Sequence, residues 1–512
     1  MAMFLIAFIF CSSIMGTLQV KAQETMSLEG KWSVKLDSLD VGINQKGFNQ
    51  QFEAVIQLPG TLDDAEIGKP TNLTADSLYK EVLIKLSRKH SYIGPAWYSR
   101  EIEIPESWKD KAIRLALERV IWNTRVWVDG KEVGSGESLS VPQRFDLSSS
   151  LRSGKHLIAI RIDNRKQHDI SYSNMGHAYT DGTQIIWNGV IGKLQLNAKE
   201  LQNIERIQTY PNVREKSVQV KVFLRNGGKK ATKGTLQVRV YDKDQRLVSS
   251  KNSTVSLSPG ETNSVLDLNL GSEAKLWDEF HPELYTIKAE LVASKSKDAA
   301  TTTFGLRDIA SKENILNNGT PVFLRGTLEC NIFPLTGYPP MNKQGWLKVF
   351  QSAREYGLNH LRFHSWCPPK AAFAVANSLG FFLQIELPLW SLTVGKDGNT
   401  NRFLEDEAVR ISQEYGNHPS FCLWSLGNEL EGDFSWMHSL IEKLKALDNR
   451  HLYTTTTFSF QKGHGDWPEN GDQFFISQKT KNGWVRGQGI FNSYEPKFPT
   501  DYSTSIQGMA VP

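Results

Sequence analysis

The chain has few cysteines, little net charge and no long apolar run beyond its first residues. Its 512 residues contain four cysteines, and the formal net charge is +4 without any Lys/Arg block. The cysteine spacing fits neither a disulfide framework nor a metal-ligand pattern, so we expect buried thiols. The small charge argues against nucleic acid as the main partner. The lack of a further apolar run argues against a membrane-spanning protein.

The first 22 residues have the pattern of an export signal. Residues 4–10 form a short apolar region, and Val20 and Ala22 provide small residues before a cleavage site. We therefore expect cleavage after Ala22 and a periplasmic or secreted protein. The remaining chain keeps three cysteines, all in its C-terminal half, at Cys330, Cys367 and Cys422.

Two regions show the alternation of apolar and polar residues that is typical of half-buried strands. The chain is too long for one hydrophobic core, which predicts several domains. Residues 23–202 contain several such runs, which predict a β jelly roll or sandwich. Residues 203–309 repeat the pattern in a second unit, which predicts an immunoglobulin-like β-sandwich. Turn residues separate the strand-like runs as hairpin connections, at Asp129-Gly130 and Ser153-Gly154.

Residues 310–512 change to short apolar runs that alternate with helical patterns through five rounds. Gly380 and Gly416 mark two of the predicted helix ends. Such alternation predicts a parallel sheet and a (β/α)8 TIM barrel. Residues 321–512 are fewer than the roughly 250 residues that this barrel usually takes, so we expect it to be incomplete.

Polar residues stand where the predicted barrel strands end. In this fold the carboxyl ends of the strands form the mouth of the active site, so their convergence on one face predicts a functional site. For Arg362 and Glu386 the alternative is an ion pair that only braces the barrel rim. The polar residues at the strand ends are Glu329, Asn331, Arg362, His364, Glu386, Asn428 and Glu429.

The run from Trp424 to Glu429 resembles the Asn-Glu signature of the β-galactosidase/β-glucuronidase family, glycoside hydrolase family 2. The resemblance extends over nearly the whole chain after residue 22, with its motifs in the family's order. Residues 97–100 and 126–134 resemble the family's sugar-binding jelly roll, and residues 187–192 resemble the close of that domain. Residues 304–307 and 318–326 resemble the approach to its barrel.

The resemblance implies a retaining exo-β-glycosidase that removes terminal β-linked galactosides or uronides from oligosaccharides or glycoconjugates without a cofactor. Glu429 would be the acid/base, and Asn428 would bind the sugar 2-hydroxyl. A homo-oligomer is compatible with the resemblance. The remaining substrate-binding candidates are Asn331, Arg362, His364, Glu386, Trp366 and Trp484; the two tryptophans are either sugar platforms or core residues.

Two departures from the family limit this interpretation. The stretch from Glu329 to Pro334 lacks the His/Glu-rich composition of the family's metal-binding β-galactosidases, so no metal is expected. The family's nucleophilic Glu ends the seventh strand, beyond the last residue of this sequence, so we expect a truncated product that is inactive alone. The rival hypotheses are a non-catalytic carbohydrate-binding protein and an inverting enzyme with a second carboxylate roughly 6.5–9.5 Å from Glu429.

Overall fold

A computed structural model of the protein describes residues 23–71, 89–174, 176–181, 184–476, 479–480 and 483–484. Within these residues, no helix is both long enough and apolar enough to cross a membrane. The described chain consists of two β-sandwiches followed by a parallel α/β unit. The predicted domain limits at residues 202 and 309 coincide with the first residues of two strands; the limits themselves remain a prediction.

The N-terminal region is a sandwich of two antiparallel sheets. One sheet has the strand order β1-β13-β8-β11, with β4 also paired to β13, and the other has the order β10-β9-β12-β7-β2-β3. The strands are β1 (Glu24–Ser27), β2 (Gly30–Leu36), β3 (Ala54–Leu58), β4 (Gly60–Thr61), β5 (Lys69–Pro70), β6 (His90–Ser91), β7 (Pro95–Ile104), β8 (Ala112–Arg119), β9 (Asn123–Val128), β10 (Lys131–Glu137), β11 (Gln143–Asp146), β12 (Gly154–Asp163) and β13 (Gly189–Lys199).

The alternating apolar residues of this region face each other between the two sheets, as predicted. Leu115 and Leu117 of β8 share one buried core with Ile158 and Ile160 of β12. Asp129-Gly130 closes the β9–β10 hairpin with positive φ at both residues, as a tight hairpin turn requires. The hairpin predicted at Ser153-Gly154 was wrong, because β11 and β12 belong to different sheets and the segment crosses between them.

The second region is a seven-stranded sandwich of the immunoglobulin-like type. Its sheets have the orders β14-β15-β18 and β17-β16-β19-β20. The predicted alternation of Val218, Val220 and Val222 places all three in the core between the sheets. The strands are β14 (Gln202–Asn212), β15 (Ser217–Asn226), β16 (Thr232–Tyr241), β17 (Leu247–Leu257), β18 (Gly260–Asn269), β19 (Tyr285–Ala293) and β20 (Ser296–Phe304).

The third region is a partial TIM barrel. A small antiparallel sheet leads into five parallel strands in the order β24-β25-β26-β27-β28, with helices between them. The elements are β21 (Ile309–Ser311), β22 (Ile315–Asn317), β23 (Thr320–Pro321), β24 (Gly326–Glu329), α1 (Lys343–Glu355), β25 (His360–Phe363), α2 (Lys370–Leu379), β26 (Phe382–Glu386), α3 (Gly398–Tyr415), β27 (Phe421–Ser425), α4 (Phe434–Leu447) and β28 (Leu452–Thr454), followed by the hairpin strands β29 (Lys479–Thr480) and β30 (Gly483–Trp484).

Local sequence explains where the barrel helices begin and end. The Asn342 side chain accepts a hydrogen bond from Gly345 N at the start of α1, and Asp397 does the same for Thr400 N at the start of α3. Gly380 ends α2 in the left-handed conformation, with φ of 73°. Strands β25, β26 and β27 are buried along their whole length, as central parallel strands are, and their carboxyl ends meet at one edge.

Candidate active site

Glu429 lies in the loop after β27, and its backbone has an unusual conformation. Its φ of 52° is in the left-handed region, which costs a non-glycine residue about 1–2 kcal/mol. The half-buried carboxylate accepts a hydrogen bond from Trp390 Nε1, which lies 3.1 Å from Oε2. Backbone strain of this kind is concentrated at functional sites. The backbone therefore sets the direction of the Glu429 side chain, and Trp390 holds its Oε2 oxygen.

Asn428 is buried beside Glu429, and its amide is fixed from two sides. Its Oδ1 accepts hydrogen bonds from Arg362 Nη2 at 2.8 Å and from Thr457 Oγ1 at 2.6 Å. Both bonds use the Oδ1 oxygen. The Nδ2 group can therefore donate a hydrogen bond to a sugar hydroxyl. The structure thus joins Arg362 and Asn428, which the sequence predicted, with Thr457, which it did not. A polar Thr run after β28 was the available signal for Thr457.

Arg362 and Glu386 form a buried ion pair. Arg362 Nε lies 2.6 Å from Glu386 Oε1, and that oxygen also accepts from Gln384 Nε2 at 3.0 Å. The Glu386 side chain is 0% exposed, and its Oε2 has no hydrogen-bond partner among the described residues. This geometry favours the bracing alternative for Glu386, because the carboxylate orients Arg362, which in turn orients Asn428. Direct contact of Glu386 with a sugar remains a prediction.

His364 belongs to a cluster that the sequence did not reveal. Its Nδ1 lies 3.9 Å from Cys330 Sγ, and its ring centroid lies 4.6 Å from that of His177. Burial lowers the pKa of His364 to about 3 and that of His177 to about 4, so both rings are neutral near pH 7. Burial also raises the pKa of the Cys330 thiol to about 11. One ligand atom from each residue lies within 4.8 Å of the other two, which is compatible with a metal ion.

The jelly roll supplies one wall of the site. Its segment at residues 170–172 runs beside Trp390, with Tyr172 N donating to Trp390 O at 2.9 Å and Trp390 N donating to Ile170 O at 2.8 Å. The Tyr172 and Trp390 rings lie 6.1 Å apart, and Tyr172 is 51% exposed. An aromatic rim therefore borders Glu429. The local patterns in the sequence did not predict it, because its two halves come from different domains.

Two further candidates for sugar contact, Asn331 and Trp366, have structural surroundings. Asn331 is buried, and its Nδ2 donates to Gln184 Oε1, so the amide holds the jelly roll. Of the two alternatives for Trp366, the structure favours the core: the ring is 2% exposed and packs 5.4 Å from Phe363 and 6.2 Å from Trp346. Such burial is typical of a core residue. The Trp484 side chain lies outside the described residues.

A separate cavity lies away from these residues. Its volume is about 490 Å³, and it opens where the two sandwiches meet the barrel helices. Ion pairs cross its polar lining, as between Arg114 and Glu205 and between Arg144 and Glu414. None of the candidate active-site residues lines it, so its size alone does not mark a catalytic site. We place the candidate site at the carboxyl ends of the strands because the oriented polar groups converge there.

Comparison with known proteins agrees with this architecture. The model for the sugar-binding domain of glycosyl hydrolases family 2 matches residues 25–192, the family 2 model itself matches residues 202–307, and the family's TIM barrel model matches residues 367–462. A β-glucuronidase from Formosa agariphila is 22% identical over 69% of this chain and 38% of its own length. A β-galactosidase from Thermoanaerobacter pseudethanolicus is 22% identical over 70% of this chain and 48% of its own length.

Solved structures show the same fold. A β-glucuronidase from Ruminococcus gnavus superposes with a TM-score of 0.72 at 18% identity, over 90% of this chain and 77% of that one. A β-glucuronidase from Bacteroides uniformis gives 0.69 at 19% identity, over 85% and 52%. The chain spans less than half the length of the two curated relatives. The three domain models, in the family's order, carry the conclusion that this chain belongs to glycoside hydrolase family 2.

Proposed function

We propose that the protein is a retaining exo-β-glycosidase that acts on terminal β-linked galactosides or uronides of oligosaccharides or glycoconjugates. The observation that carries the proposal is the fixed Asn428–Glu429 pair at the carboxyl end of β27. Trp390 orients the Glu429 carboxylate, while Arg362 and Thr457 orient the Asn428 amide. The names of the relatives, β-glucuronidase and β-galactosidase, support the two substrate classes.

In this proposal Glu429 is the general acid and then the general base. Its carboxylic acid protonates the glycosidic oxygen as the bond to the anomeric carbon breaks, and a second carboxylate forms the glycosyl-enzyme. Glu429 then removes a proton from the water that releases the sugar. The Asn428 Nδ2 group donates to the sugar 2-hydroxyl, a contact that strengthens as positive charge develops on the ring. We leave the nucleophile unassigned.

The test compares Glu429→Gln with Glu431→Gln in a form of the protein whose wild type hydrolyses glycosides. Glu429→Gln should reduce turnover strongly for alkyl glycosides, whose leaving groups need a proton, and much less for the formation of glycosyl-enzyme from activated aryl glycosides. Added azide should then give a β-glycosyl azide. Glu431→Gln makes the same chemical change two residues further along the loop and should keep wild-type rates. Equal losses on both substrate types, with no azide product, would remove Glu429 from this role.

A non-catalytic carbohydrate-binding protein is the second candidate. It is favoured by the state of Glu386, a second carboxylate at this end of the sheet that is fully buried and paired with Arg362. In that case the purified chain would bind galactose or glucuronate saturably without releasing aglycone, and a 2-fluoroglycoside would label no residue. Turnover with the opposite anomer as first product, seen by proton NMR, would instead support the inverting hypothesis.

Export belongs to the same proposal. Residues 1–22 lie outside the described part of the chain, and their apolar pattern supports cleavage after Ala22. Expression in a bacterium with a periplasm, followed by N-terminal sequencing, should give a first residue of Gln23. An intact Met1 in a cytoplasmic fraction would contradict export.

A further inference from the structure

We propose that His177, Cys330 and His364 form a zinc site on the wall of the candidate active site. The three side chains come from three separate segments: the jelly roll, the residue after β24 and the residue after β25. One ligand atom from each lies within 4.8 Å of the other two, and the Cys330 Sγ–His364 Nδ1 distance is 3.9 Å. All three are half-buried, so each side chain keeps some exposure to solvent.

The sheet fixes two of the three ligands relative to each other. Strands β24 and β25 pair in parallel with Glu329 opposite Phe363, so Cys330 and His364 are the next residues along the two strands. The His364 amide continues this pairing by donating to Glu329 O at 3.0 Å. Backbone hydrogen bonds therefore fix the main-chain positions from which Sγ and the imidazole extend. A metal would find these two ligands already arranged.

Both imidazoles lie near a polar group that could orient them. The Asn428 side chain acts to raise the pKa of His364, and the Cys330 backbone acts to raise the pKa of His177, in each case against the larger lowering by burial. Metal-ligating histidines commonly donate one ring N–H to a fixed oxygen, which orients the other nitrogen toward the ion. Asn428 is itself held by Arg362 and Thr457. The cluster thus has neighbouring polar groups as well as three ligand atoms.

The ligand set is suited to Zn²⁺. One thiolate and two imidazoles match its preference for sulfur and nitrogen, with bonds of about 2.3 Å and 2.0–2.1 Å. Tetrahedral angles then separate sulfur and nitrogen by about 3.5 Å, so the observed 3.9 Å needs only a small closure. On binding, the Cys330 S–H bond breaks, the proton passes to solvent, and an Sγ–Zn bond forms. The fourth position is left for water or another oxygen ligand.

The proposal is independent of hydrolysis, because it concerns metal binding alone. Zinc would link His177 of the jelly roll to Cys330 and His364 of the barrel. Because a ligand that binds only the folded state raises stability, excess ZnCl2 should raise the thermal midpoint by a few degrees. MgCl2 should not, because Mg²⁺ prefers oxygen ligands.

The test uses the full chain without a histidine tag, stripped with EDTA and then titrated with ZnCl2 or CoCl2. We expect one equivalent of Zn²⁺ to bind, and Co²⁺ to give tetrahedral visible bands with a thiolate charge-transfer band in the near ultraviolet. Cys330→Ser should remove the charge-transfer band. His364→Gln and His177→Gln should each weaken zinc binding at least tenfold. The matched controls, which should keep the band, are Cys367→Ser and Cys422→Ser, and His360→Gln is the histidine control.

Each result decides the proposal. Failure of the wild-type chain to bind Zn²⁺, or a charge-transfer band that survives in Cys330→Ser, would overturn it. Zinc affinity unchanged by both histidine variants would also overturn it, because a lone thiol would then be the ligand. Circular dichroism checks that each variant is folded. If Cys330→Ser does not fold, Cys330→Ala and the two histidine variants give the same decision.

Discussion

The two ends of the five-stranded barrel sheet both carry buried polar side chains, but their hydrogen bonding differs. At the amino end, Arg307 donates to the backbone oxygens of Pro419, Phe421 and Arg450 at 2.7–3.0 Å. At the carboxyl end, Glu386 Oε2 and Asn331 Oδ1 are buried without partners among the described residues. Buried polar groups that lack partners are rare in folded proteins and call for a functional explanation.

The amino end is a closed electrostatic network. Asp448 accepts from Arg450 Nη2 at 2.6 Å and from Ser412 Oγ at 2.6 Å, and His451 lies beside it. Burial alone would raise the pKa of the Asp448 carboxyl, but the neighbouring His451 and Arg450 hold it well below its usual range. Such complete pairing is typical of structural roles. The number of polar residues therefore does not distinguish the two ends of the sheet, whereas the pairing of Asp448 and of Glu386 Oε2 does.

The largest effect should follow from opening the amino-end network with Asp448→Asn. Removing one partner leaves the buried Arg450 charge unpaired, which should lower the free energy of unfolding by about 3–5 kcal/mol. Urea denaturation measures the change. Asp244→Asn, an exposed acid in the second sandwich, is the control and should change little. A loss below about 1 kcal/mol for Asp448→Asn would contradict the structural role of this end.

A second prediction concerns pH and the buried His418 at the amino end. Burial lowers its pKa to about 3, so the folded state binds fewer protons than the unfolded state below pH 6.5. The contribution of the neutral His418 to the free energy of unfolding is therefore complete above pH 6.5, and it is lost as the pH falls toward 3. Between pH 6.5 and pH 5 this amounts to about 2 kcal/mol, which His418→Gln should remove from the pH dependence of unfolding.

The carboxyl end should be more tolerant of the matching change, Glu386→Gln. One oxygen of the Glu386 carboxylate, Oε2, has no hydrogen-bond partner among the described residues, whereas both oxygens of Asp448 accept hydrogen bonds, so the amide at position 386 gives up fewer interactions. We expect a loss of about 1–2 kcal/mol in urea denaturation. A loss as large as that of Asp448→Asn would show that the two ends are equivalent in stability. Only ligand binding would then distinguish the carboxyl end of the sheet from the amino end.

The smallest effect on stability is expected for Glu429→Gln. The Gln side chain can still accept from Trp390 Nε1, and the residue is only half-buried. The free energy of unfolding should change by no more than about 0.5 kcal/mol. A loss above about 2 kcal/mol would mean that the carboxylate is structural and would weaken any activity measurement on this variant.

Strong local patterns made the fold predictable from sequence. The alternation around Val220 predicted strands, and Gly380 predicted a helix end, because both depend on near neighbours in the chain. Arg362, Asn428 and Glu429 come together as predicted, since parallel strand ends share one edge. His177 and Trp390 were not predicted, because no local signal tells which side chain of one domain will contact another. The sequence left Trp366 open between a sugar platform and a core residue, because a tryptophan suits both environments equally well.

The left-handed backbone at Glu429 has a consequence for selection. Glycine or asparagine would adopt φ of 52° with less strain than glutamate. A library of variants chosen only for heat resistance should therefore gain Gly or Asn at this position and lose the acid/base. Variants chosen for sugar turnover should instead keep glutamate, although Gly or Asn would be more stable. The comparison of the two libraries would measure the contribution of Glu429 to activity rather than to stability.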